Sequence, residues 1–196
     1  MSDNLSLEKH ILVVDIDRRS ECAELHRACS KHADWPRDFY EPGEERVPDQ
    51  AKRLEHELTQ MLFNEAISLA STHFGRTMVP LYRPTLRKYP TGSSLSEHHD
   101  EEENYVVGAR PQTFLTEGAM YIYLNDDYDG GELFFGQLGL RIKPKAGQMI
   151  AWPSGLQFSH GVAEVKNGDR YAISSFLTTP KLLALDLMLR SNHEKN

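Results

Sequence analysis

Hydrophobic positions along this chain change their period near Val79. Ahead of that point, an apolar run at Ile11-Leu12-Val13-Val14 predicts a strand. Helical spacing follows over about 18–33 and, more strongly, over 50–74. In the second stretch Leu54, Leu58, Met61, Leu62, Ala66 and Leu69 recur at three and four residues, which puts them on one helical face. Trp35-Pro36 and Glu41-Pro42-Gly43 mark a loop between the two helices, because Pro and Gly end regular structure.

From Val79 onward the apolar positions alternate. Short runs rich in Tyr, Ile, Leu and Phe are separated by turn signals at Pro90-Thr91-Gly92, Asp129-Gly130-Gly131, Lys145-Ala146-Gly147, Pro153-Ser154-Gly155 and Asn167-Gly168-Asp169. Seven or eight strands at near-regular spacing predict a sandwich, barrel or jelly roll rather than a parallel α/β sheet. Asn167-Gly168 predicts a hairpin turn, both residues tolerating positive φ. Leu182 to Leu189 predicts a closing helix packed on the outside. The expected fold is therefore mostly β with N-terminal helices (α+β), in one domain. Residues 1–78 form a strand and supporting helices, 79–178 a jelly-roll core, and 179–196 a C-terminal helix.

Composition narrows the class. The chain has 196 residues, 39% of them hydrophobic, and a formal net charge of -7. It has no apolar run approaching the ~18 residues of a membrane span, and the polar start MSDNLSLEKH lacks the apolar core of a secretory signal. Two cysteines, Cys22 and Cys29, are too few for a disulfide or zinc framework, so a cytoplasmic setting is expected. The acidic balance disfavours nucleic-acid partners, whose phosphates call for a basic surface.

The densest chemistry is Ser96-Glu97-His98-His99-Asp100-Glu101-Glu102-Glu103, with two imidazoles and five carboxylates. On a strand, residues two apart share a face, so His98 and Asp100 point together and His99 points away. Such a pair can fill adjacent positions on a divalent metal, and a distant His would complete a 2-His-1-carboxylate face. The pattern alone is weak, because His32-Ala33-Asp34 matches it at the end of a predicted helix, where residues two apart diverge.

Context downstream is more specific. Tyr123-Leu124-Asn125-Asp126 runs into an acidic turn and Gly130-Gly131-Glu132. Lys143-Pro144-Lys145-Ala146-Gly147, Ser154-Gly155, His160-Gly161-Val162 and Gly168-Asp169-Arg170 follow. In order and spacing these motifs resemble the iron(II)/2-oxoglutarate-dependent oxygenases over about residues 86–178. Within them the likeness is to the prolyl hydroxylase branch, in the flavour of the collagen prolyl 3-/4-hydroxylase catalytic domain.

The resemblance implies a double-stranded β-helix, cupin-like core, with His98, Asp100 and His160 as iron ligands. It implies that Arg170 grips the distal carboxylate of 2-oxoglutarate, a task for which a planar guanidinium offers two parallel hydrogen bonds. Many collagen-type members carry Lys there, and this chain has Ala172 where many have Ser or Thr. Tyr89 and Tyr123 resemble tyrosines that help bind 2-oxoglutarate, with Tyr121, on the same strand face, as the alternative to Tyr123. Glu101, Glu102 and Trp152 are the expected substrate contacts, on a long loop over 101–118 and beside the metal. Fe(II), 2-oxoglutarate and dioxygen are the implied cofactors, with ascorbate as a stimulant. Because Asp100 is a carboxylate, hydroxylation rather than halogenation is implied. The substrate is a prolyl residue in a peptide or protein, with a free amino acid or other small molecule as the alternative. Phe176 stands where a nucleic-acid demethylase of the same superfamily has a second Arg.

Overall fold

The computed structural model describes residues 9–31, 39–40, 49–100 and 116–193. In chain order it builds β1 (Leu12–Asp15), α1 (Arg19–Cys29), β2 (Phe39–Tyr40), α2 (Asp49–Phe74), β3 (Val79–Pro80), β4 (Thr85–Tyr89) and β5 (Leu95–His98). There follow β6 (Gly118–Tyr123), β7 (Asp129–Gly130), β8 (Leu133–Phe135), β9 (Leu140–Ile142), β10 (Gln148–Pro153), β11 (His160–Val162), β12 (Val165–Asn167), β13 (Arg170–Thr178) and α3 (Pro180–His193).

The strands form a major sheet in the order β1-β10-β6-β13-β4-β2, with β3 also on β13, and a minor sheet in the order β5-β11-β8-β9. A small pair, β12-β7, lies beside them, and every pairing is antiparallel. This is a jelly roll, as expected.

Alternation along the major strands divides the interior into two cores, because successive side chains leave opposite faces of a sheet. On one face Leu86, Met120, Ile122, Leu124, Met149, Ala151, Ile173 and Leu177 pack under the helices. There they meet Cys22, Leu25 and Cys29 of α1 and Leu58, Leu62, Phe63, Ala66 and Ala70 of α2. Fully buried members such as Leu25, Leu62 and Ile122 contribute about 1.5–3 kcal/mol each. On the other face Ala119, Tyr121, Tyr123, Ile150, Trp152 and Ala172 pack against Leu133, Phe135, Leu138 and Phe158 from the minor-sheet side. All six residues of β6 are buried as a result. The second core is the space between the sheets, and the polar residues of interest face it.

Four details differ from expectation. The described residues from Val79 hold eleven strands, not seven or eight, the surplus being two- and three-residue pieces whose hydrophobic signal is too short to see. Met61 stands outside the buried stripe of α2, 40% exposed, where the Arg18 Nη1 donates to its sulfur at 3.2 Å. Asn167-Gly168 closes no hairpin: β12 pairs with β7 while β13 pairs with β3, β4 and β6. Gly168 does take positive φ (77°), and its carbonyl accepts from the Thr91 hydroxyl at 2.7 Å, so the turn is a corner between sheets. Among the described side chains of α3 only Leu182 and Leu183 are half-buried, whereas Leu185, Leu187 and Met188 are exposed. His32-Ala33-Asp34, the loop at Trp35-Pro36 and Glu41-Pro42-Gly43, and Glu101 to Glu103 lie outside the described residues.

Candidate active site

Antiparallel pairing of β5 with β11 sets His98 directly opposite His160, so residues far apart in sequence become cross-strand neighbours on one face. Their rings lie 4.6 Å apart, centroid to centroid. Asp100 falls two residues beyond the end of β5, in a turn rather than on the strand as expected. It still reaches the pair. One ligand atom from each of His98, Asp100 and His160 lies within 4.8 Å of the others, and His160 Nε2 is 3.8 Å from Asp100 Oδ1.

Each imidazole is oriented in the same way. His98 Nδ1 donates to the Ser96 carbonyl at 2.9 Å, and His160 Nδ1 donates to the Phe158 carbonyl at 3.0 Å. A carbonyl can only accept, so the proton sits on Nδ1 and Nε2 carries the lone pair. Burial, and next the proximity of His98, push His160 down to about 4. It therefore offers a lone pair rather than a proton throughout the neutral range.

Asp100 is held from a second direction. Trp152, in β10, donates from Nε1 to Asp100 Oδ2 at 3.3 Å. Its ring meets His160 edge-on at 4.6 Å and lies parallel to Tyr121 at 5.8 Å. Expected as a substrate contact, Trp152 is instead fully buried, walled in by Phe135, Tyr121 and His160. Its chemistry is directed at the carboxylate.

Behind this group, at the start of β13, Arg170 is completely buried. Its guanidinium carbon lies 4.6 Å from the Tyr89 ring centre, 4.9 Å from Tyr123 and 5.4 Å from Tyr121. Nη2 donates to the Tyr123 hydroxyl at 3.2 Å, and the Tyr89 and Tyr121 hydroxyls are 3.4 Å apart. Burial opposes the guanidinium charge, but the surrounding tyrosines, Tyr123 foremost, more than offset it and keep the group cationic. Burial raises Tyr121, Tyr123 and Tyr128 above the usual phenol range, so all three stay neutral. Arg170 Nε and Nη1 have no hydrogen-bond partner among the described residues. A buried charge with two idle donors is costly unless an anion completes it.

Sequence reasoning missed the residues that hold Arg170 in place. Asn125, 5% exposed, donates to the Asp169 carbonyl (2.7 Å) and to Asp127 Oδ1 (2.6 Å), and accepts from the Tyr171 N–H (2.7 Å). It thus clamps the backbone on both sides of Arg170. Lys143 Nζ donates to the carbonyls of Tyr128 and Gly130 (2.8 and 2.5 Å), pinning the acidic turn. In that turn Gly130 and Gly131 both take φ of 65°, and a Cβ on Gly131 would press on Tyr128, Val165 and the Arg170 side chain. The available signal was an Asn ending a wholly apolar strand, and a Lys ahead of Pro144.

The arrangement brings a nitrogen–nitrogen–oxygen donor set and a buried cationic pocket to one interior, linked through Trp152 and Tyr121. Residues 84–178 match the model of the 2OG-Fe(II) oxygenase superfamily. The matched stretch is just under half of the chain. The chain is similar to prolyl 3-hydroxylase 2 of Mus musculus, 35% identical over 88 residues, which is 42% of this chain and 12% of the relative. It is similar also to prolyl 3-hydroxylase 1 of Mus musculus, 26% identical over 156 residues, 69% of this chain and 20% of the relative. The chain thus spans a fifth or less of these two curated relatives. Among solved structures, a viral collagen prolyl hydroxylase from Paramecium Bursaria Chlorella virus-1, in its 2OG complex, aligns with a TM-score of 0.64 at 17% identity. That alignment covers 87% of this chain and 96% of the other. A Pseudomonas putida prolyl-4-hydroxylase aligns with a TM-score of 0.55 at 16% identity, over 91% of each chain. These structural likenesses establish the fold.

The donor set fits the metal of the matched superfamily: two imidazoles with one carboxylate leave coordination positions open, the arrangement suited to non-haem iron(II). The two idle nitrogens of Arg170 fit a carboxylate. Among the described residues no helix is long and apolar enough to cross a membrane.

Proposed function

We propose that this chain is an Fe(II)- and 2-oxoglutarate-dependent oxygenase that hydroxylates an unactivated C–H bond of a prolyl residue in a peptide or protein. The observation that carries the reading is the pairing of the His98–Asp100–His160 cluster with a fully buried Arg170 that leaves two donors unused among the described residues. A binding module would have no use for both at once.

In this reading His98, Asp100 and His160 hold the metal, and the carbonyls of Ser96 and Phe158 keep both imidazoles turned with Nε2 towards it. Arg170 takes the distal carboxylate of 2-oxoglutarate with the donors it has idle. The hydroxyls of Tyr89 and Tyr123 supply further hydrogen bonds to that anion. When bound, iron(II) supplies oxygen activation, with 2-oxoglutarate leaving as succinate and carbon dioxide. The buried faces of Tyr121, Trp152 and Phe135 exclude water from the reacting volume, so that the oxidising step is spent on substrate. Prolyl specificity draws on the names of the relatives, the prolyl 3-hydroxylases and prolyl-4-hydroxylase. Glu101 and Glu102 remain the proposed substrate contacts.

The test is anaerobic titration with Fe(II) and 2-oxoglutarate, then oxygen admission and succinate assay, for the wild type beside Asp100→Ala and Arg170→Ala. A charge-transfer absorption and succinate release, both lost in the two variants, are the expected outcome. Proline-containing peptides should raise succinate release above the uncoupled rate, and free proline should not. Absence of absorption and turnover in folded wild-type protein would overturn the oxygenase reading. Stimulation by free proline alone would overturn the peptide assignment.

A further inference from the structure

The two oxygens of Asp100 have different neighbours. Oδ1 faces His160 Nε2 at 3.8 Å, and Oδ2 accepts from the Trp152 indole at 3.3 Å. Asp100 lies past the end of its strand, so the β5 ladder does not fix its side chain as it fixes His98. Trp152, by contrast, sits on β10, a strand paired on both sides with β1 and β6. Its ring is locked by parallel contact with Tyr121 and edge contacts with Phe135 and His160. The indole has one N–H and no acceptor. It therefore can satisfy only one carboxylate oxygen, and it satisfies the one turned away from His160.

The geometry points to Trp152 as a positioning residue that selects which oxygen Asp100 offers to a metal ion. With Oδ2 occupied by the indole, the carboxylate presents Oδ1 alone, and the second oxygen is kept from closing a further coordination position. Trp152 touches no reacting atom. It acts through Asp100, and through the edge contact it sets the plane of His160 as well. This inference rests on the metal-site reading above and concerns the protein before any cosubstrate arrives, so metal alone can probe it.

The probe is Co(II), titrated anaerobically into wild-type, Trp152→Phe, Ile150→Val and Asp100→Ala proteins, with affinity and the visible Co(II) absorption recorded together. Trp152→Phe keeps a stacked aromatic ring but loses the N–H. Loss of a hydrogen bond from outside the ligand set typically weakens metal binding 10–100-fold, so about a tenfold rise in Kd with an altered absorption band is expected. Ile150→Val thins the same core two residues earlier on β10 while leaving the indole N–H, and should keep the wild-type band. Wild-type affinity and band in Trp152→Phe, with binding lost in Asp100→Ala, would overturn the role of Trp152 and leave the metal site standing. Equal Co(II) binding by wild type and Asp100→Ala would overturn the metal site itself. A matching band change in Ile150→Val would reduce the effect to packing and overturn the inference.

Should Trp152→Phe fail to fold, the indole proton of the wild type gives the answer by NMR, only two tryptophans being present. On addition of Zn(II) the Trp152 N–H should shift and remain protected from exchange. An unchanged resonance would overturn the role.

Discussion

The two sheets face the same interior but hold their functional residues in different ways. The major sheet carries Arg170 and its tyrosines on strands covered on both faces, with α1 and α2 packed behind. Its cationic pocket is clamped through the backbone by Asn125, and Arg170 is fully buried. The minor sheet carries His98 and His160 on strands of four and three residues, and β5 has no fully buried position. There orientation comes from side chains, through two imidazole-to-carbonyl bonds and one indole-to-carboxylate bond. The difference teaches that the anion pocket is preformed by the fold, whereas on the metal side, among the described residues, side-chain hydrogen bonds do the orienting. Each half should therefore fail in its own manner.

The largest effect is expected from Arg170→Met. Removing the partner of a buried charged hydrogen-bonded group costs about 2–5 kcal/mol of binding, so 2-oxoglutarate affinity should fall by about 10²–10³-fold. Thermal stability should hold or rise, because Nε and Nη1 have no partner among the described residues and replacing a buried charge with an apolar side chain is often neutral or better. Calorimetric titration with 2-oxoglutarate beside a melting curve checks both. A large drop in Tm with cosubstrate affinity intact would reverse the assignment of this half.

Gly161→Ala strikes the other half. A Cβ there would lie 2.6 Å from the Leu95 carbonyl oxygen and would run into the Phe134 ring, forcing β5 away from β11 at the residue beside His160. Overpacking of this kind costs about 1–3 kcal/mol. The expected result is a lower Tm with metal affinity reduced more than 2-oxoglutarate affinity. Equal losses at both ligands would show that the halves are not independent.

How much of this was legible in the chain follows from the same contrast. The alternation of Met120-Tyr121-Ile122-Tyr123 predicted a strand, and the structure gives it two buried faces with the tyrosines on one of them. Arg170 and the three candidate ligands could be named from ordered motifs, and the fold brings them together. Positions set by three-dimensional contact alone were not legible. Nothing local to Trp152 shows that its indole reaches a carboxylate 52 residues earlier, and nothing local to Asn125 shows that it brackets Arg170. Gly168 takes the positive φ expected of it while Asn167 ends β12, and the strands that follow pair elsewhere, since turn chemistry specifies φ and not which strands pair.

Asn125→Ala should cost less than either change above. It leaves the Tyr171 N–H and the Asp169 carbonyl without their side-chain partner, and an unsatisfied buried group costs about 1–3 kcal/mol. Because the clamp acts on backbone flanking Arg170, KM for 2-oxoglutarate should rise while Co(II) affinity stays within about twofold, a margin below the ~1.4 kcal/mol that a tenfold change requires. Loss of metal binding in this variant would mean that Asn125 supports the whole jelly roll and not one side of it.

The smallest effect separates two tyrosines that the sequence left as alternatives. Tyr123 and Tyr121 sit on the same face of β6 with rings 6.0 Å apart, so both line the pocket, but their hydroxyls do different things. Tyr123 accepts directly from Arg170 Nη2, whereas Tyr121 meets the Tyr89 hydroxyl and stacks on Trp152. Tyr123→Phe removes one hydrogen bond to a charged group, worth about 1.5–3 kcal/mol, and sets a third guanidinium nitrogen free. Tyr121→Phe removes one neutral contact at 3.4 Å, near the limit of hydrogen-bond length, and keeps the stack. Tyr123→Phe should therefore weaken 2-oxoglutarate binding by about tenfold or more, and Tyr121→Phe by about threefold, since a neutral bond at the limit of length contributes near the low end of about 0.5–1.5 kcal/mol. The reverse order would mean that the anion is received by the Tyr89–Tyr121 pair, and that the route from Arg170 to the metal runs along the Trp152 side of the interior.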